Sequence, residues 1–233
     1  MMRETMLTAH PGFYGLPENS IEYLECALVS KADAVKVDLR RTRSGDIILS
    51  RDAREDGLPR SRAFRILAAH PRKRMNCDLK SPGLELPVYE QALRSNVQRQ
   101  LIFSGNVSET LMRCYRSLPQ TIAWFYNAEL LFPDLYKNPQ TFTAVEAPML
   151  ARVIAEKLSA TGAVCLNIHG SVSAAPLYES LLEANVPLSL WTPDDEAAIG
   201  KLLKDKIHNI TTRNITLACW LKRNLSRNEL AVV

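Results

Sequence analysis

The chain has no apolar run approaching the ~18 residues needed to cross a bilayer. Its first nine residues also lack the long apolar stretch of a secretory signal. Both absences point to a cytoplasmic protein. Paired cysteines are missing too. Cys26, Cys77, Cys114, Cys165 and Cys219 are odd in number, far apart and never in a Cys-x-x-Cys pair. That spacing argues against a disulfide framework or a zinc site, and most of the five read as small core residues. No internal repeat and no low-complexity tract interrupts the chain. No nucleic-acid motif accompanies its basic character. Residues 40–80 hold twelve Lys/Arg against five Asp/Glu in a chain of net charge +4. No regular interleaving of aromatic residues accompanies this excess, which reads as a solvated face plus a basic loop rather than a nucleic-acid surface. A small phosphate-bearing ligand accounts for the same charge.

What is present suits one α/β domain over residues 1–233. A chain of 233 residues with 46% hydrophobic content can bury one substantial core. Short apolar runs at 6–9, 34–39, 75–79, 101–104, 121–126, 163–168, 188–191 and 209–211 read as strands. Helical patterns fall between them at 20–30, 62–69, 87–96, 108–117, 145–159, 174–184, 194–204 and 215–224. Eight alternating units of this length predict a closed (β/α)₈ (TIM) barrel, with an open doubly wound sheet as the alternative. Ser20, Ser108 and Asp194 stand at expected N-caps, and Pro87 and Pro176 suit first turns. Ser44-Gly45-Asp46 predicts a tight turn and a small hairpin after the second strand. Residues 132–143 read as a long loop.

Side chains alternate across a strand. Val35 and Val37 then face the helices, while Lys36 and Asp38 face inward. Cys77 and Leu79 leave Asn76, Asp78 and Lys80 inward, and Leu166 and Ile168 leave Asn167 and His169 inward. These polar residues fall at strand C-termini, where barrel enzymes place their chemistry. The same residues could equally form an inward ion-pair network with a structural role.

Four segments carry a more specific pattern. They are His10-Pro11-Gly12, Pro17-Glu18-Asn19-Ser20, Val35-Lys36-Val37-Asp38 and Ser50-Arg51-Asp52. In order and spacing they resemble the opening of the glycerophosphodiester phosphodiesterase family, which reads His-Arg-Gly, Pro-Glu-Asn-Thr, Glu-x-Asp and His-Asp. The resemblance continues through Asn76-Cys77-Asp78-Leu79-Lys80, through Phe103-Ser104-Gly105 with Ser108-Glu109-Thr110-Leu111, and through Leu190-Trp191-Thr192 and Ile210-Thr211-Thr212. It covers nearly the whole chain, with the family's usual helical insertion largely missing.

The resemblance implies a phosphoric diester hydrolase of glycerophosphodiester and lipid metabolism. It places His10 at one acid–base histidine and Arg51 at the other. It gives Lys36, Asp38 and Asp78 the places of three metal-binding carboxylates, and Pro11 that of an arginine. Glu18, Asn19, Arg51, Lys80 and Trp191 fall at substrate or phosphate-binding positions. The family reaction uses a divalent cation, Mg²⁺ or Ca²⁺, with hard oxygen ligands. Lys36 offers none, so no cofactor is expected unless that chemistry survives. Lys36 reads instead as a substitute cation bridging Asp38 and Asp78. Arg51 stays protonated and can hold phosphate by two parallel hydrogen bonds. His10 could still protonate a leaving group, or serve only as a lining residue. His169 is the one candidate for a second acid–base group, although a lone inward histidine is more often structural. Three functions follow: weak hydrolysis of a glycerol-type phosphodiester, binding of a phosphate ester without catalysis, or a protein-interaction scaffold. The residue chemistry favours the second.

Overall fold

The computed structural model describes residues 4–115, 121–133 and 143–230. Eight parallel strands close into a barrel: β1 (Met6–Ala9), β2 (Ala34–Arg41), β5 (Arg74–Leu79), β6 (Leu101–Gly105), β7 (Ala123–Asn127), β8 (Cys165–His169), β9 (Leu188–Trp191) and β10 (Asn209–Thr212). Closure comes from β1, which pairs with β10 on one side and β2 on the other. An open sheet is thereby ruled out. After β2 the chain turns at Ser44-Gly45-Asp46 into β3 (Ile47–Leu49), antiparallel to β2, and then β4 (Leu58–Pro59). The hairpin expected there is present, and it carries Arg51 up to the barrel mouth.

The connecting helices are α1 (Ile21–Val29), α2 (Arg60–Ala68), α3 (Glu85–Arg94), α4 (Glu109–Cys114), α5 (Ala147–Thr161), α6 (Pro176–Glu183), α7 (Glu196–Lys204) and α8 (Ile215–Leu230). Local chemistry fixes several starts. The Ser20 hydroxyl accepts from the Tyr23 amide at 3.1 Å, and that of Ser108 from Leu111 at 3.3 Å. Each satisfies a first-turn donor that has no partner within the helix. Pro176 opens α6 and Pro87 sits in the first turn of α3, where a missing N–H costs nothing. One cap differs from expectation. Asp195, not Asp194, caps α7, accepting from Ala198 at 2.9 Å. Asp194 is drawn away by Thr212 and Arg213, whose hydroxyl, amide and guanidinium all donate to it. The segment 132–143, expected as a long loop, lies mostly outside the described residues, as does the end of the helix expected over 108–117.

The two faces of the barrel strands have different jobs. Outward-facing Leu7, Val35, Val37, Cys77, Phe103, Ile168 and Leu190 are buried against the helices as part of the main core. The interior changes character along the barrel axis. Ile102, Phe125 and Cys165 make a small apolar cluster at the strand N-terminal end. Above it runs a polar belt. Thr8 donates to Asn209, Asn209 to Ser189, Ser189 to Asn167, and Asn167 to Asn127, at 2.7–3.0 Å. Ser104 donates to Asn76 at 2.8 Å on the next pair of strands. Buried polar groups are tolerated here because each finds a partner across the strand pair. Above the belt the interior becomes charged. Among the described residues no helix is long and apolar enough to cross a membrane.

Candidate active site

The charged layer sits at the C-terminal ends of β1, β2 and β5. The β2–β5 register sets Lys36 beside Asn76 and Asp38 beside Asp78. Side-chain alternation then brings Lys36, Asp38, Asp78 and, one step beyond β5, Lys80 to one place. Lys36 Nζ lies 2.6 Å from Asp38 Oδ1 and 2.9 Å from Asp78 Oδ2. Lys80 Nζ lies 2.8 Å from Asp78 Oδ2 and 3.3 Å from Asp38 Oδ1. Two carboxylates and two ammonium groups thus form a square with no net charge. Asn19 completes the surroundings of Asp38: its amide group donates to Oδ2 at 3.0 Å, and its carbonyl accepts from the Asp38 backbone amide at 2.9 Å.

The electrostatics follow from this geometry. Burial alone would depress the Lys36 pKa, but the Asp78 and Asp38 charges outweigh it and raise the pKa above its ordinary value. Burial likewise opposes ionisation of Asp38, yet Lys36 and Lys80 hold its carboxyl well below the usual range. Lys36 and Asp38 are therefore both ionised near neutral pH, and Lys36 is no proton donor or nucleophile there.

His10 follows β1 directly, its amide donating to the Thr212 carbonyl at 2.9 Å. Nδ1 stands 2.7 Å from the Pro11 carbonyl. A carbonyl only accepts, so Nδ1 carries the hydrogen and Nε2 holds the lone pair. Burial first, and then the Lys36 charge, lower its pKa to about 4. His10 is therefore neutral at pH 7, with Nε2 facing as an acceptor in the resting protein. Tyr23 ties this region together from α1. Its hydroxyl lies 2.9 Å from the Ala9 carbonyl and 2.7 Å from that of Lys36, so it pins the strands that carry His10 and Lys36.

A cavity of about 100 Å³ opens above these groups. Of the expected site residues, it is lined by His10, Lys36, Asp38, Arg51, Asp78, Lys80 and Trp191. The exposed Arg51 is placed by Arg40, whose guanidinium holds the Arg51 backbone carbonyl at 2.7 and 3.2 Å. The Arg51 guanidinium forms no hydrogen bond or ion pair with the described residues. Glu18 and Asn19 do not line the cavity. Asn19 is buried behind Asp38, and the exposed Glu18 flanks Gly12 on the side of Arg213. His169 packs edge-on to Trp191, ring centroids 4.8 Å apart, and its Nδ1 lies 2.8 Å from Ser171 Oγ. It does not line the cavity.

Sequence reasoning missed Asn127, Glu129 and Thr211 among the lining residues. Strand alternation could have found Asn127 and Thr211, since both continue the inward side of their strands. Glu129 lies in a single 3-10 turn, Ala128–Leu130, for which the strand period gives no direction.

The donor set does not fit the divalent cation that the resemblance implies. Such a cation needs several hard oxygen ligands. Of the three carboxylates at the mouth, Asp38 and Asp78 are each paired with ammonium groups, and Glu129 does not converge with them on a common point. Of the four oxygens of Asp38 and Asp78, Asp78 Oδ1 has no hydrogen-bond partner among the described residues, and it packs against Gly105. Among those residues no three His, Cys, Asp or Glu side chains converge on a point that could hold a metal ion.

No protein-family model matches the sequence, and no curated protein matches it significantly. The fold does match solved structures. A candidate glycerophosphoryl diester phosphodiesterase from Agrobacterium tumefaciens superposes with a TM-score of 0.74 at 14% identity, over 97% of this chain and 100% of that one. An Oleispira antarctica phosphodiesterase, in complex with the product sn-glycerol-3-phosphate, gives 0.66 at 17% identity over 94% and 96%. A Thermotoga maritima glycerophosphodiester phosphodiesterase gives 0.65 at 14% over 94% and 98%. The fold of this chain matches the barrel fold of these solved phosphodiesterases along essentially its full length.

Proposed function

We propose that this chain is a divergent glycerophosphodiester phosphodiesterase-type barrel that binds a phosphate ester at its mouth and hydrolyses it very weakly or not at all. The observation that carries the reading is the Lys36 ammonium held between Asp38 and Asp78 at 2.6 and 2.9 Å. Metal-assisted hydrolysis would need oxygen ligands where this chain has a buried, satisfied cation. General acid–base catalysis is weakened as well. One acid–base partner typically contributes ~10²–10⁴-fold, and here Arg51 stands at the position of one and cannot release its proton near neutral pH. The other, His10, offers a lone pair of low basicity.

Ligand binding rests on different atoms. Because the four charges of the square cancel, an incoming anion meets the Arg51 guanidinium, whose planar fork suits two phosphate oxygens. His10 Nε2 can accept a hydrogen bond from a ligand hydroxyl, and the Trp191 ring offers an apolar face. Glycerol phosphate has both phosphate and hydroxyl groups, and the structurally similar Oleispira phosphodiesterase is known with that product.

The test combines turnover and binding. Glycerophosphocholine and glycerophosphoethanolamine are assayed with and without Mg²⁺, Ca²⁺ and Mn²⁺, and sn-glycerol-3-phosphate is titrated calorimetrically. The expected result is negligible turnover in every condition, with binding weakened by Arg51→Ala. Robust turnover abolished by His10→Ala would overturn the reading in favour of an active phosphodiesterase. Absence of binding would favour a scaffold.

A further inference from the structure

A second concave site lies away from the barrel mouth. It is a groove of about 470 Å³ between α8, the start of β1 and the loop from α1 to β2. Its size falls within the range usual for small-molecule sites, ~300–1,000 Å³, whereas the mouth cavity is about 100 Å³. Four cations line it, Lys31, Lys222, Arg223 and Arg227, against two carboxylates, Glu4 and Asp33. The mouth is lined by Lys36, Lys80 and Arg51 against Asp38, Asp78 and Glu129, so its formal charges balance. The groove is the more positive of the two.

Among the described residues only one of the four cations is used internally by its charge. Lys222 donates to the Thr5 carbonyl at 2.7 Å and lies 3.2 Å from Glu4 and 3.9 Å from Asp33. Asp33 is further committed to the Leu7 amide at 2.8 Å. Among the described residues Arg223 uses only Nε, donating to the Cys219 carbonyl at 3.2 Å, which leaves both terminal nitrogens of its fork. The Lys31 ammonium and the Arg227 guanidinium form no hydrogen bond or ion pair with the described residues. Arg227 has a local reason for its position, since it complements the carboxyl end of α8. Lys31 likewise follows the carboxyl end of α1, whereas no such reason applies to Arg223 in the middle of α8. Cys219 lies between them. Burial and Asp33 raise its pKa while Lys222, Arg223 and Lys31 oppose the rise, so the thiol stays protonated and adds no negative charge.

We propose that this groove binds a multiply charged phosphate-class anion, held by the Arg223 fork and the Lys31 and Arg227 charges. Leu7, Cys219 and the aliphatic stems of the basic side chains line the rest of the groove and can take a less polar part of the same ligand. The site is independent of the mouth: it shares no residue with it and depends on none of its chemistry.

Inorganic pyrophosphate is the probe. It is titrated calorimetrically into the full-length chain, into Arg223→Ala/Arg227→Ala, into Arg223→Lys and into Arg51→Ala. All the substituted residues are exposed. The expected result is saturable binding that weakens about tenfold or more in the double variant, as loss of charge-assisted hydrogen bonds implies. Arg223→Lys is expected to lie between the two, because it keeps the charge and loses the fork. Arg51→Ala, which removes the mouth's own phosphate fork, is expected to keep the binding component that the double variant loses. No saturable binding, or binding insensitive to the double substitution, overturns the proposal. Binding lost in Arg51→Ala but kept in the double variant also overturns it and assigns the anion to the mouth.

Discussion

Replacing Lys36 by glutamate should make the stability of this barrel depend on a metal ion. In the native chain Lys36 Nζ is 2.6 Å from Asp38 Oδ1 and 2.9 Å from Asp78 Oδ2, and the Asp38 side chain is only 2% exposed. Removing one partner of such a buried set costs ~3–5 kcal/mol. Lys80 remains 2.8 Å from Asp78, which limits the loss, while the added carboxylate increases it. For a domain of this size 1 kcal/mol corresponds to about 2–4 °C in Tm, so Lys36→Glu in chelator should melt roughly 6–20 °C below the native chain. The variant also restores a third oxygen ligand beside Asp38 and Asp78. A divalent cation at about 100 times its Kd would return about 2.7 kcal/mol, recovering a large part of the deficit. The assay is thermal unfolding of the native chain, Lys36→Glu and Lys36→Met in chelator, Mg²⁺ and Ca²⁺. Lys36→Met should be destabilised without metal rescue, because it loses the cation and gains no ligand. The reasoning fails if the native chain is itself stabilised by either metal in a manner abolished by Asp38→Ala. It also fails if Lys36→Glu in chelator is as stable as the native chain.

Two further perturbations probe the same region. Burial lowers the His10 pKa from 6.5 to about 4, so between those values the unfolded chain binds the proton that the folded one excludes. Stability should be intact above pH 6.5 and fall by about 3 kcal/mol by pH 4. Urea unfolding across that range should show the loss. His10→Gln should flatten it, leaving a smaller slope from His169, whose pKa burial also lowers. An equal loss in His10→Gln would place the proton uptake elsewhere. Gly105 adopts φ +81°, and a Cβ there would collide with Asp78 Oδ1 and the Leu79 backbone. Gly105→Ala should therefore cost about 2–4 kcal/mol, read from the urea midpoint. A change within about 0.5 kcal/mol, the level of an ordinary surface substitution, would show that this contact is not tight.

The sequence alone determined the order of elements and the direction of side chains, because both depend on short-range periodicity. Alternating apolar and amphipathic runs located eight strands and eight helices. Strand alternation turned Lys36, Asp38, Asp78 and Asn167 inward. Ser20 and Ser108 marked helix starts because a capping hydroxyl acts within three residues. Where two neighbouring residues could serve, the local rule was insufficient: Asp195 caps α7 because Arg213 and Thr212, far along the chain, claim Asp194. The tertiary structure decided what distance and burial decide. It closed the sheet through the β1–β2 pairing, and it added Lys80 to the ion pairs to make a neutral square. It put Asn19 behind Asp38 rather than in the cavity. It also buried His10 beside Lys36, which lowers its pKa. A residue letter carries no solvent exposure and no neighbouring charge, and those two quantities fix whether a histidine can act as an acid.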